Sequence, residues 1–343
     1  DNYYPAGDEQ VLVTEVTGRV IPEGGIPLKV GVVVNNVITL AQVADAVESG
    51  RPVTRRVLTV AGEVARPVTL ELPIGTPMGL ALQLAGGATV ASWAIVEGGP
   101  MMGRVVTDPE EPITKKTSGL IVLSTDHPLV LRKQITNQRE ATLAHAMCCQ
   151  CRMCTDLCPR FLLGHDINPH LVMRAMMHSG YVDADEAGVT NAYLCCDCGV
   201  CEIMACPLNL SPRKVNMALK AELAAGKVAN PHHRREVEPR PFRLERLVPI
   251  SRLVARIGLR PYYGTPAPYD PATYPISSVR LPLSQHIGAP AIPVVEPGDE
   301  VRRGDLVGEI PEGKLGARVH ASIDGKILAV SSEDVVIRGG GDF

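Results

Sequence analysis

Short apolar stretches separated by turn residues fill the first 55 positions. Val11-Leu12-Val13 reads as a strand and Gly24-Gly25 as a turn. The apolar run at 30–34 leads through Asn35-Asn36 into a helix predicted over 39–48 and ended near Gly50. That is the pattern of the tail of an α/β unit. From Arg56 the period changes: Val57-Leu58-Thr59-Val60 and Val68-Thr69-Leu70-Glu71-Leu72 read as strands, residues 77–85 as a short helix stopped at Gly86-Gly87, and Ala94-Ile95-Val96 as another strand. So many elements in so short a stretch predict a small β-grasp module over 56–139. Residues 140–226 turn mainly helical, with helix patterns at 168–178 and at 212–225, where Pro212 suits a first helical turn. Prolines and arginines crowd 227–276, including His232-His233-Arg234-Arg235, as in a linker or an extended strap. Within that region 244–259 has apolar residues at helical spacing, interrupted by Pro249. The last part, 277–343, alternates apolar strands with turns at Gly298-Asp299, Gly304-Asp305 and Asp324-Gly325 and predicts a small all-β domain. The fold class expected is multidomain α+β.

Composition narrows the picture. A chain of 343 residues exceeds one ordinary core. Acidic and basic residues nearly balance at a net charge of −3, so no overall field favours nucleic acid or an anionic membrane surface. With 3% aromatic residues, 32 glycines and 29 prolines, a turn-rich chain is expected rather than a large helical bundle. No apolar run approaches the roughly 20 residues of a membrane span, and the N-terminus has no signal-peptide pattern, which predicts a cytoplasmic protein without a transmembrane segment. The chain starts at Asp1 without Met and runs at once into the middle of a domain, so a preceding portion is expected.

All ten cysteines fall between Cys148 and Cys206, a clustering that speaks for metal rather than for a disulfide framework. Cys148-x-x-Cys151-x-x-Cys154-x-x-x-Cys158-Pro159 has the bacterial iron–sulfur spacing. Cys195-x-x-Cys198-x-x-Cys201 repeats it, with four residues instead of three before Cys206-Pro207. Two-residue gaps let a loop wrap three corners of a cubane and leave the fourth to a distant cysteine, which in two-cluster proteins crosses over. Cys148, Cys151, Cys154 and Cys206 are therefore assigned to one [4Fe–4S] cluster, and Cys195, Cys198, Cys201 and Cys158 to the other. Zinc is the competing reading, but it favours separate Cys-x-x-Cys knuckles. Cys149 and Cys196 fit neither register and read as small residues beside the clusters. His145, His165 and His178 stand near the motifs, where a lone histidine is usually a satisfied polar residue. Two one-electron centres make a wire, which needs a donor and an acceptor.

Further motifs resemble a known family. Tyr4-Pro5-Ala6-Gly7-Asp8-Glu9 followed by Val34-Asn35-Asn36-Val37-x-Thr39 resembles the second half of the flavin domain found in the complex I flavoprotein and in the RnfC component of the Rnf complex. Val60-Ala61-Gly62-Glu63-Val64 and Glu97-Gly98-Gly99-Pro100-Met101-Met102-Gly103 look like the soluble-ligand-binding β-grasp domain of the same proteins. The stretch from Pro282 through Leu283-Ser284-Gln285-His286-Ile287-Gly288-Ala289 to Pro290 looks like the Rnf-type barrel-sandwich hybrid domain, here placed last. That order is similar to the cobalamin reductases of propanediol-utilization microcompartments.

The resemblance implies five regions: part of a flavin/NADH domain at 1–55, the β-grasp domain at 56–139, a two-cluster ferredoxin-like domain at 140–226, a linker at 227–276 and the barrel-sandwich hybrid at 277–343. It also implies a route from NADH through FMN and two [4Fe–4S] clusters to cobalamin, in a microcompartment, with a cobalamin adenosyltransferase and a shell protein as partners. Tyr4, Asp8, Glu9, Asn35, Asn36 and Thr39 would line the flavin and nicotinamide side. The alternative is a non-enzymatic electron-transfer subunit of an Rnf-type or microcompartment assembly. In the relatives a glycine-rich loop carries the flavin phosphate. No Gly-x-Gly-x-x-Gly run occurs in this chain, so FMN is expected in the complete protein, with weak binding or none in this chain alone.

Overall fold

The computed structural model describes residues 2–178 and 188–340. The chain divides into two compact units, each built from two separate stretches: 1–34 with 134–263, and 35–133 with 264–343. The first unit opens with strand β1 (Tyr3–Tyr4) and helix α1 (Glu9–Thr17). The second begins with α2 (Val37–Ser49), then β2 (Arg55–Gly62), β3 (Val68–Pro73), α3 (Met78–Leu84), β4 (Trp93–Glu97), β5 (Arg104–Val106), β6 (Gly119–Ser124) and α4 (Pro128–Gln134). Returning to the first unit, the chain forms α5 (Asn137–Met147), α6 (Met153–Asp156), α7 (Pro159–Leu162), α8 (Pro169–His178), α9 (Pro212–Ala225), β7 (Val248–Pro249) and α10 (Ile250–Arg256). It closes the second unit with β8 (Ser278–Pro282), β9 (Ile292–Pro293), β10 (Glu300–Val301), β11 (Leu306–Glu309), β12 (Val319–His320), β13 (Gly325–Val330) and β14 (Asp334–Gly339).

In the second unit one sheet has the order β3-β2-β6-β4-β5, antiparallel except where β2 runs parallel to β6. Helix α3 covers it, burying Met78, Ala81 and Leu82 with Leu58, Val60, Leu70, Ile95, Leu120 and Val122. The backbones of β2 and β6 meet so closely at Gly62, whose φ is 95°, that a Cβ there would lie 2.2 Å from the Val122 oxygen. Two further sheets, β10-β13-β14-β8 and β12-β11-β9, enclose Val279, Leu281, Val307, Val319, Ile327, Val335 and Ile337. The expected turns are present: Asp299 accepts from the Glu296 amide at 2.8 Å and Asp305 from the Arg302 amide at 2.7 Å. Helix α2 follows its predicted position, capped by the Asn36 side chain on the Ile38 amide at 2.9 Å and ended by left-handed Gly50. It buries none of its side chains, and Val37, Leu40, Val43 and Val47 are all exposed.

The first unit is mainly helical, as expected around the cysteines. Helices α5, α8 and α9 surround Ala144, Val172, Met173, Val215, Leu219 and Leu223. One expectation fails: Val11-Leu12-Val13 lies inside α1, not in a strand. The Asp8 carboxylate accepts from the Gln10 and Val11 amides at 3.1 and 3.2 Å, starting a helix that left-handed Gly18 ends, and these two caps override the β-branched composition between them. Strand β1 pairs antiparallel with β7, Tyr3 opposite Pro249.

Residues 228–243 strap the helices. Arg240 donates its amide to the Leu162 oxygen at 2.9 Å and lays its guanidinium 4.2 Å from the Phe161 ring centre, while Arg234 reaches Glu23 at 2.7 Å and the Gly164 oxygen at 2.6 Å. The helical spacing at 244–259 resolves into a short turn, then β7, then α10 beginning after Pro249, with Leu253, Ile257 and Leu259 buried. Among the described residues no helix is long and apolar enough to cross a membrane.

Candidate iron–sulfur and flavin site

Two cysteine loops of the first unit have the same backbone. In one, Cys148 ends α5 in an extended conformation (φ −68°), and Gln150 and Arg152 are left-handed at 55° and 67°. In the other, Cys195 is extended (φ −69°), and Asp197 and Gly199 are left-handed at 61° and 78°. Alternating hands turn successive amides toward one side and make a concavity that suits an anionic cluster. The Asp197 amide already points at the Cys195 sulfur, 3.5 Å away. Cys158 and Cys206 match as well: both are extended, with φ of −67° and −76°, and each precedes a proline.

The unequal spacing before Cys158 and Cys206 has a structural answer. Residues Cys201–Ala205 form a π-helical turn in which the Cys206 amide donates to the Cys201 oxygen, five positions back, at 3.1 Å. The wider turn absorbs the additional residue, so Cys206 still arrives in the extended conformation of its counterpart.

The thiols influence one another in two adjoining groups, with Cys196 falling in the second. Burial pushes the Cys154 thiol up to about 12, helped by the thiols of Cys148, Cys151 and Cys206. Burial likewise raises Cys201, with Cys195 and Cys158 adding to it. Cys198 is raised first by its hydrogen bond with Cys196, then by burial, with Cys158 and Cys201 contributing. Cys154 also acts on Cys201, so the two sets adjoin. Cys148, Cys151, Cys154 and Cys206 border a cavity together with His170 and Met173. Among the described residues no three His, Cys, Asp or Glu side chains could hold a single metal ion. Zinc needs them to converge at bonds of about 2.3 Å, whereas a cubane keeps four thiolates apart on four irons. The donor set, eight cysteines in two runs of iron–sulfur spacing, fits the larger group.

The N-terminal segment packs on this region. The Tyr4 hydroxyl donates to the carbonyl oxygen of Cys198 at 2.7 Å, and burial, then the thiols of Cys198 and Cys196, hold its phenol far above the usual range, so it keeps its proton. Asp8, besides capping α1, pairs with Arg160 at 3.0 Å, two residues past Cys158. Arg213 pairs with Asp197 at 2.5 Å and Glu202 at 3.5 Å, bracing the second loop. Of the residues expected at the flavin, Tyr4 and Asp8 are half-buried in the first unit and Glu9 is exposed there. Asn35, Asn36 and Thr39 are exposed in the second unit.

Spacing alone does not reveal Arg160, Arg213 or His170, because their partners lie far off in sequence. His170 takes its place through the Thr155 hydroxyl at 2.8 Å from its Nδ1. Of the histidines noted in the sequence, His165 is buried with Nε2 at 2.9 Å from the Ile21 oxygen, His145 is exposed, and the His178 side chain lies outside the described residues.

Comparison with known proteins gives matches along the whole chain. Family models match for the Nuo51 FMN-binding domain at 1–45, the SLBB domain at 57–105, a 4Fe-4S dicluster domain at 147–211 and the RnfC barrel sandwich hybrid domain at 271–340. The chain is 34% identical over 157 residues, 46% of its length and 33% of the relative's, to a component of the Na(+)-translocating ferredoxin:NAD(+) oxidoreductase complex of Acetobacterium woodii. It is 44% identical over 338 residues to the cobalamin reductase PduS of Citrobacter freundii, covering 98% of this chain and 74% of that one. The same protein of Salmonella typhimurium is 45% identical over 338 residues, again 98% of this chain and 74% of the relative. At that identity over nearly its whole length, the chain belongs to the cobalamin reductase family.

Proposed function

We propose that this protein is an iron–sulfur flavoprotein reductase that moves electrons from NADH, by way of FMN and two [4Fe–4S] clusters, to cobalamin. The observation that carries the reading is the pair of matching cysteine loops with the N-terminal segment seated on one of them through Tyr4. When bound, the flavin would supply two-electron hydride acceptance and the clusters one-electron transfer, the conversion that a one-electron cobalt acceptor requires.

The protein's own residues hold and insulate these groups. Eight cysteines, Cys148, Cys151, Cys154 and Cys206 with Cys195, Cys198, Cys201 and Cys158, would hold the two clusters. Pro159 and Pro207 carry the chain away from each fourth ligand without leaving a backbone donor unpaired. Phe161, Ile167 and Leu194 pack against Cys158 and keep water from it. Within the stretch matched by the FMN-binding model, Tyr4, Asp8, Glu9, Asn35, Asn36 and Thr39 would face the flavin and nicotinamide. The finer architecture in this reading is a β-grasp domain at 56–139, a ferredoxin-like domain at 140–226, a linker at 227–276 and a barrel-sandwich hybrid at 277–343. Its setting is a microcompartment interior, with a cobalamin adenosyltransferase or a shell protein as neighbour.

The test is to purify the protein without oxygen, measure iron, sulfide and flavin per chain, and add NADH. Bleaching of the cluster absorbance and reduction of added cobalamin support the reductase. Bleaching by dithionite alone leaves a passive conduit of the Rnf type. Colourless, zinc-rich protein without an electron paramagnetic resonance signal after reduction would sink the redox account.

A further inference from the structure

Two cysteine sets with one sequence pattern sit in different surroundings. In the set of Cys195, Cys198, Cys201 and Cys158, three thiols are buried and Cys195 is half-buried. In the other set Cys151 is open to solvent, beside exposed Cys149, Arg152, Met147 and Met153. Two contacts of the N-terminal segment fall on the buried set: Tyr4 on the carbonyl of Cys198, and Asp8 on Arg160 just past Cys158. Arg160 is itself only 6% exposed; its Nη2 pairs with Asp8, but its Nη1 is buried without a hydrogen-bond partner among the described residues. A buried guanidinium nitrogen left so is costly unless something anionic faces it, and a cubane held by four thiolates is anionic.

Resting on the function just given, we propose that Cys195, Cys198, Cys201 and Cys158 form the receiving end of the pathway and Cys148, Cys151, Cys154 and Cys206 the delivering end, with Tyr4 and Arg160 positioning the N-terminal segment on the receiving set. Electron transfer weakens steeply with distance. A corrin ring is too bulky to enter a packed helical unit, so its electrons must leave where a ligand cysteine meets solvent. The apolar thioethers of Met147 and Met153 beside Cys151 suit contact with a flat macrocycle. The balance closes: one NADH yields NAD+, one proton released to solvent and two electrons, which reduce two cob(III)alamins to two cob(II)alamins.

The experiment uses the anaerobic, flavin-loaded enzyme, with clusters followed by electron paramagnetic resonance and hydroxocobalamin as acceptor. In Cys151→Ala, NADH still reduces the remaining cluster while cobalamin reduction falls to the enzyme-free level. In Cys195→Ala, the remaining cluster stays oxidised under NADH but accepts electrons from dithionite. The opposite pattern, or the same response in both variants, overturns the order. Because losing a ligand can unfold the unit, Tyr4→Phe and Arg160→Gln are compared at full iron content. Both slow NADH reduction several-fold and alter the signal of the receiving cluster alone, and Arg160→Lys recovers most of the rate. Unchanged rates and spectra in these variants overturn the positioning role. If NADH reduces neither cluster in the unsubstituted enzyme, the underlying function falls instead, a result distinct from a reversed order.

Discussion

Left-handed backbone at four positions shapes both cluster loops, and the four are not equally easy to replace. Gly199 adopts φ 78° without a side chain, whereas Gln150, Arg152 and Asp197 adopt similar values with one. Gly199→Ala should therefore cost about 1–2 kcal/mol, read as a lower thermal midpoint of the first unit, while Arg152→Gly should not lower it. Ligand and non-ligand cysteines should separate cleanly. Cys206→Ser is expected to halve the iron content per chain, and Cys149→Ala and Cys196→Ala to leave it unchanged; an iron assay on anaerobic protein decides. The matched loop backbone is legible in the sequence because three cysteines of each motif lie within seven consecutive residues, so spacing alone carries that geometry. Tyr4 and Arg160 are not legible as cluster neighbours, since Tyr4 meets a carbonyl 194 positions away and Arg160 a carboxylate 152 positions away. No local pattern encodes such pairs.

Among the elements, the π-helical turn at Cys201–Ala205 makes the sharpest prediction. Deleting Met204 restores three-residue spacing but rotates Cys206 relative to Leu210 and Ser211, both buried in the helical core. The expected result is loss of iron from the Cys148 set with the other set retained, measured as half the iron and one remaining resonance signal. Helix α1 is hard to read from composition because Val11, Val13 and Val16 favour strands, while the caps that decide its conformation lie outside that apolar run.

The strap at 228–243 depends on a titratable anchor. Burial works to raise the Glu23 carboxyl, but the Asp166 amide and Arg234 outweigh it and hold the group below the ordinary range. A lowered folded pKa means that the stabilisation is complete above the unfolded value of about 4.3 and is lost as pH falls through the lower folded value. Protease cutting within 228–243 should rise as pH drops below about 4, and Glu23→Gln should flatten that dependence.

For the molecule as a whole, every cysteine belongs to one unit and none to the other. Metal binding is then coupled to the folding of that unit alone. Removing iron by chelation should lower the melting transition of the helical unit and leave that of the β-rich unit in place, giving two resolved transitions by calorimetry. The interleaved connectivity has a consequence for synthesis. Strand β1 cannot pair until β7 exists, with Tyr3 waiting for Pro249 roughly 245 residues later, which at about 5–20 residues per second is on the order of ten to fifty seconds of translation. Closure of that strand pair therefore waits for residue 249, more than forty residues after the last cysteine, Cys206, so a nascent chain stalled between the two would carry every cysteine and the Tyr4 and Asp8 contacts but an open N-terminal strand.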